Sequence, residues 1–158
     1  EVDHTPKHNI PWKSKTMNVL IPMAGAGSRF AEAGYTFPKP LIEVGNKPMI
    51  QVVTENLNID AHHIFIVQKE HYEKYNLETV LNMVAPGCTI VQTEGITEGA
   101  ACTVLLAEEL INNEDELMLA NSDQWVDIDI NAYLTQIKNH ENISLPFSYY
   151  NYSFLFRG

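Results

Sequence analysis

The chain has 158 residues, of which 45% are hydrophobic, enough for one domain with a sizeable core. Its net charge of −10 argues against electrostatic binding to nucleic acid or to an anionic membrane, so any cationic phosphate site must be local. Two cysteines, Cys88 and Cys102, without CxxC spacing, exclude a disulfide framework or a zinc ribbon and read as buried free thiols.

Residues 1–16 form an N-terminal extension that lacks the apolar middle of a signal peptide, and no apolar run reaches transmembrane length; the expected location is the cytoplasm. The first element is a short apolar strand over 18–22. After it come Ala24, Gly25, Ala26, Gly27 and Ser28, where the chain must turn and a ligand can approach without meeting a Cβ. Successive backbone N–H groups in such a turn form an anion-binding concavity, and Arg29 adds a permanently charged fork suited to phosphate oxygens. Lys39, between Pro38 and Pro40, places an ammonium on a stiff segment. The dinucleotide fingerprint is excluded because Phe30 stands where a third glycine is needed. Walker A is excluded because Gly45-Asn46-Lys47 is followed by Pro48. The long connection from Ala24 to Pro40 reads as a lid that orders on nucleotide.

Further along, the pattern predicts helices over 47–57, 71–84, 99–111 and 130–139, and strands over 63–68, 88–92 and 116–120. Lys69 to His71 read as a solvated turn, Pro86-Gly87 as a turn and Asn112-Asn113 as a polar helix exit. His62 and His63 have no matching cysteine or carboxylate cluster for zinc. Asp129 reads as the cap of the helix from Ile130 rather than as half of a metal-binding pair with Asp127. Nearly all-apolar strands alternating with helices define an α/β chain, a Rossmann-like three-layer α/β/α arrangement with a mostly parallel sheet and ligands at the carboxyl ends of the strands. The glycine loop, Gln92 and Asp123 all follow such ends. Residues 17–140 make this domain. Residues 141–158 form an aromatic-rich tail in which the run from Phe147 to Phe156 is either an edge strand or an apolar surface buried in an oligomer.

The loop Gly25-x-Gly27-x-Arg29, followed by Pro38-Lys39-Pro40 and apolar residues, closely resembles the signature of the sugar-phosphate nucleotidylyltransferases, the pyrophosphorylases that make nucleotide sugars. Gln92 and Gly99-Ala100-Ala101 resemble the family's base-holding positions, with Gly95 as the rival glycine. Asp123, after Leu117 to Ala120, resembles its magnesium-binding aspartate. The resemblance covers about residues 17–140. It implies a fold of the nucleotide-diphospho-sugar transferase type and transfer of a nucleotidyl group from a nucleoside triphosphate to a sugar 1-phosphate, with Mg2+ and release of pyrophosphate. It also implies roles: Ala24 to Ser28 cradle the phosphates, Arg29 neutralises the β and γ groups, and Lys39 stabilises the α-phosphate transition state. Gln92 and Gly99 hold the base, and Asp123 holds the metal.

Family members run considerably longer, so the resemblance implies the N-terminal half of such a domain, truncated at its C-terminus, with a partner chain or second protomer joined through the tail as one way to complete it. Two alternatives stand beside an active enzyme. One is a nucleotide-binding or regulatory chain without turnover; the other is a cytidylyltransferase acting on an alcohol phosphate such as phosphocholine. Uracil and thymine present the same edge to Gln92, so the reading stops at a pyrimidine triphosphate with glucose 1-phosphate.

Overall fold

The computed structural model describes residues 17–25, 32, 34, 37–97, 99–138 and 154–156. Four parallel strands make the centre: β1 (Met17–Pro22), β4 (His62–Gln68), β5 (Thr89–Thr93) and β6 (Glu116–Leu119). The sheet order is β5-β4-β1-β6-β7, in which β7 (Phe154–Phe156) runs antiparallel to β6. Three residues of the tail thus take the edge-strand alternative; the rest of it lies outside the described residues.

Both faces of the central strands are apolar because both are covered. Met17, Val19 and Ile21 of β1, with Phe65 and Val67 of β4, share one core with Ile50, Val53 and Leu57 of α1 (Met49–Leu57), Leu77 and Leu81 of α3 (Leu77–Val84), and Ile130 and Leu134 of α6 (Ile130–Lys138). The alternate residues Leu20, Ile64 and Ile66 face a second core with Ala107, flanked by Val104 and Ile111. The period-two alternation of a strand therefore feeds two hydrophobic layers, which is what makes the fold three-layered.

Three of the expected helices differ in their boundaries. The first helix starts at Met49, not Lys47: Lys47–Pro48 is β3, paired antiparallel with β2 (Glu43–Val44) across Gly45 and Asn46. Both of these turn residues have positive φ, 57° and 67°, the requirement of a two-residue hairpin with a primed turn, and a residue before proline is biased away from helix. The expected helix over 71–84 is two, α2 (Lys69–Lys74) and α3, broken at Asn76, whose φ of 48° is left-handed. Lys69, Glu70 and His71 are accordingly the first turn of α2 rather than a free turn. The helix expected over 99–111 is also two, α4 (Ala100–Leu105) and α5 (Glu108–Ile111). Between them the ladder tightens, Leu106 N–H bonding the Thr103 carbonyl and Ala107 N–H that of Val104, which brings Ala107 into the second core.

Other expectations hold. Asp129 accepts the Ala132 N–H at 3.0 Å as the cap of α6, and Gly87 makes its turn with φ 76°. His62 is buried, its ring nitrogens within hydrogen-bond distance of Asn18 Oδ1 (3.1 Å) and Thr89 Oγ1 (2.9 Å), which ties β1, β4 and β5 together at their amino ends. Of the cysteines, Cys88 is half-buried but Cys102 is exposed, which corrects the expectation of two buried thiols. Cys102 lies on α4, whose face away from the sheet meets solvent. Among the described residues, no helix is long and apolar enough to cross a membrane.

Candidate active site

Strand order fixes where the site falls. From β1 the chain steps to β4 and β5 on one side, then crosses to β6 on the other, so the order reverses between β1 and β6. At such a switch point the loops leaving the two carboxyl ends diverge and open a crevice. The segments entering it are Met23–Gly25 after β1 and the residues following Leu119 after β6.

The β6 loop is pinned at both ends. Ala120 N–H donates to the Leu20 carbonyl at 3.0 Å, extending the ladder with β1. Further on, Asn56 of α1 exchanges two hydrogen bonds with Val126: its Nδ2 donates to the Val126 carbonyl and its Oδ1 accepts the Val126 N–H, both at 2.9 Å. A side-chain amide here imitates a strand neighbour. Between these anchors, Asn121 Nδ2 donates to Gln124 Oε1 at 2.9 Å, and Asp123 lies in the turn between them.

Lys39 reaches this aspartate from a separate element. Pro38, Lys39 and Pro40 open a 3-10 turn (Lys39–Leu41) in which Leu41 N–H bonds the Pro38 carbonyl and Ile42 N–H the Lys39 carbonyl, with Pro40 and Ile42 buried. Met49 N–H then bonds the Ile42 carbonyl, which fastens the turn to the head of α1. The Lys39 ammonium forms an ion pair with the Asp123 carboxylate, the two side chains being 31% and 28% exposed. Two residues singled out independently in the sequence are in direct contact.

Gly25 is exposed, its φ is not in the left-handed region, and among the described residues a Cβ there would meet no heavy atom within 4 Å. No backbone strain and no contact with the described residues requires glycine at this position, and a residue without Cβ lets a ligand approach the main chain closely. Ala24 is buried beneath it. Ala26, Gly27, Ser28 and Arg29, and most of the expected lid, lie outside the described residues.

The base-holding candidates sit apart from the ion pair. Gln92 is exposed on β5, an edge strand two strand spacings, about 10 Å, from β1. Gly99 caps α4 with φ 116° and ψ 169°, a conformation essentially confined to glycine. Its carbonyl accepts both the Thr103 N–H at 3.2 Å and the Thr103 hydroxyl at 3.0 Å. Since Thr103 has one hydroxyl proton and spends it on Gly99, its contact with the Thr97 hydroxyl is one in which Thr97 donates. Gly95, the rival, has no positive φ.

Two contributors went unnoticed in the sequence. Gln68, at the end of β4, donates Nε2 to the carbonyls of Ala24 (3.1 Å) and Gly25 (3.3 Å). Asn56 holds the aspartate loop. A glutamine closing an apolar strand was a readable signal; an asparagine partway along a helix was not.

The sequence matches the nucleotidyl transferase family over residues 18–152. The chain belongs to that family. Curated relatives of the chain include a mannose-1-phosphate guanyltransferase from Yarrowia lipolytica, 32% identical over 120 residues, which takes in 68% of this chain and 30% of the relative. Another is the bifunctional protein GlmU of Methanocaldococcus jannaschii, 25% identical over 138 residues, 82% of this chain and 32% of the relative. Among solved structures, the nucleoside-diphosphate-sugar pyrophosphorylase from Vibrio cholerae RC9 superposes with a TM-score of 0.57 at 25% identity, over 73% of this chain and 52% of that one. The chain thus spans about a third of the length of the curated relatives it matches, and the family's Rossmann-like sheet is the one described above.

Proposed function

We propose that the crevice between the carboxyl ends of β1 and β6 binds a nucleoside triphosphate, and that the protein transfers its nucleotidyl group to a sugar 1-phosphate with release of pyrophosphate. The observation that carries this reading is the contact of Lys39 with Asp123, which lies in the loop after β6, the parallel neighbour of the strand that leads into Gly25. A cation and a carboxylate on short, independently anchored segments are the parts that phosphoryl chemistry needs, because it depends on positioning and on neutralising charge.

In the proposed reaction an oxygen of the sugar 1-phosphate attacks the α-phosphorus, the bond to the bridging α–β oxygen breaks, and pyrophosphate leaves with that electron pair. Gly25 and the loop after it orient the triphosphate through backbone N–H groups, and Arg29 offsets charge on the departing phosphates. Lys39, released from Asp123, stabilises the crowded negative charge on the α-phosphate. Asp123 is suited to magnesium: the ion takes oxygen donors and is commonly held by one or two carboxylates together with substrate phosphates. When bound, magnesium would neutralise non-bridging phosphate oxygens. Gln92 and Gly99 are the proposed base contacts. A pyrimidine triphosphate with glucose 1-phosphate is the finer reading; the name of one relative points to a guanylyl donor instead, so the base is left to experiment.

A second reading, already open from the sequence, is a nucleotide-binding or regulatory chain without turnover. The test is pyrophosphate release from each nucleoside triphosphate with a panel of sugar 1-phosphates and magnesium. Turnover with one pair establishes the enzyme. Triphosphate binding without turnover on any pair selects the second reading.

A further inference from the structure

We propose that Gln68 is a positioning residue for triphosphate binding: from the end of β4 it sets the peptide plane between Ala24 and Gly25, where the glycine loop begins, without touching the ligand. The proposal rests on the reading that this loop cradles phosphate. Its ground is the way β1 ends. Beyond Pro22 the ladder to β4 continues for one step, Met23 N–H bonding the Ile66 carbonyl at 2.7 Å. The main chain then leaves the sheet, and the next two carbonyls, Ala24 and Gly25, are met by the Gln68 side chain, which is 8% exposed.

Two carbonyl oxygens can only accept, so the amide must turn its NH2 toward them; no other orientation satisfies the contacts. In a planar trans peptide the carbonyl and the N–H point in opposite directions. Holding the Ala24 carbonyl against β4 therefore turns the Gly25 N–H away from it. Donors turned away from the sheet toward the crevice are what a phosphate needs. A hydrophobic residue at this strand end would leave the two carbonyls to swing the planes and lose the alignment.

A merely structural glutamine would affect stability alone, so the deciding readout is phosphate affinity in the folded full chain. The variants are Gln68→Met, close in shape with no donor, and Gln68→His, whose Nε2 offers a donor at similar reach. The probe is inorganic tripolyphosphate with magnesium, followed by calorimetry, with thermal unfolding as the check on folding. Gln68→Met is expected to bind about tenfold more weakly, and Gln68→His to recover most of the loss. Binding by Gln68→Met equal to wild type overturns the positioning role while leaving the phosphate loop intact. No binding by the wild type overturns the phosphate reading itself. Should Gln68→Met fail to fold, amide NMR of the wild type decides. On adding tripolyphosphate the Gly25 N–H is expected to move while the Gln68 side-chain amide keeps its position; an unmoved Gly25 N–H overturns the proposal.

Discussion

Lys39 and Asp123 form an ion pair across the switch point of the sheet, one side chain carried by a proline-framed turn and the other by a doubly anchored loop. Each is about a third exposed, and pairs of that kind contribute roughly 0–1 kcal/mol to stability. Stability therefore gives little reason for the pair, whereas the proposed chemistry gives each partner a task. Lys39→Met and Asp123→Asn should each shift the melting temperature by only a few degrees while reducing turnover about 100-fold or more. Full activity in either variant would remove that residue from the mechanism.

The pair also predicts competition. In the nucleotide-free protein the ammonium occupies the carboxylate that magnesium would use, so removing it should make a divalent ion bind more readily. Manganese titration followed by broadening of the Asn121 to Gln124 amides should reach half-effect at a several-fold lower concentration in Lys39→Met than in wild type. Equal midpoints would mean that Lys39 does not hold Asp123 against the metal.

Much of this architecture was legible because the strongest sequence signals are those set by solvent and sterics. The strands around Leu20, Phe65, Val91 and Met118 are apolar runs that need cover on both faces, and the Pro38-Lys39-Pro40 element announces a fixed backbone whatever packs on it. What escaped were features decided by single polar residues. Asn76 breaks a helix by accepting a left-handed conformation that few residues tolerate, and nothing in the apolar periodicity of 71–84 marks it. Gly45-Asn46 was read against a phosphate motif and not as the hairpin turn it makes. Gln68 and Asn56 went unseen because their worth lies in which backbone groups they reach, and that is a property of the folded sheet.

Asn56 gives a prediction that joins stability to function. Its amide satisfies both the N–H and the carbonyl of Val126, partly buried groups that would otherwise lack these partners. Asn56→Leu should cost about 1–3 kcal/mol in chemical unfolding. If the tether also presents Asp123, the variant should lose turnover at saturating substrate under conditions where it remains folded. A stability loss with turnover unchanged would confine Asn56 to a structural role.

Gly99 offers a test of backbone strain. Its φ of 116° and ψ of 169° are accessible to glycine, and side-chain-bearing residues there cost on the order of 1–3 kcal/mol, although the space around an added Cβ is open. Gly99→Ala should accordingly destabilise through conformation and not through a clash. Loss of nucleotide affinity beyond that of an equally destabilised core variant would tie the glycine to the base site, and loss in step with stability would not.

The cysteines should separate chemically. Burial pushes the Cys88 thiol up to about 11, so at pH 8 its reactive thiolate is about 100-fold scarcer than that of a thiol at its ordinary value near 9. The sign is fixed: desolvation disfavours the thiolate, and reactivity rises only as pH climbs toward 11. Cys102 is exposed on α4 and within reach of reagent. Alkylation with iodoacetamide at pH 8, mapped by peptide mass, should label Cys102 well before Cys88, and unfolding in denaturant should abolish the difference. Equal labelling of the two in the folded protein would mean that the edge of the sheet around Cys88 opens to solvent on the timescale of the reaction.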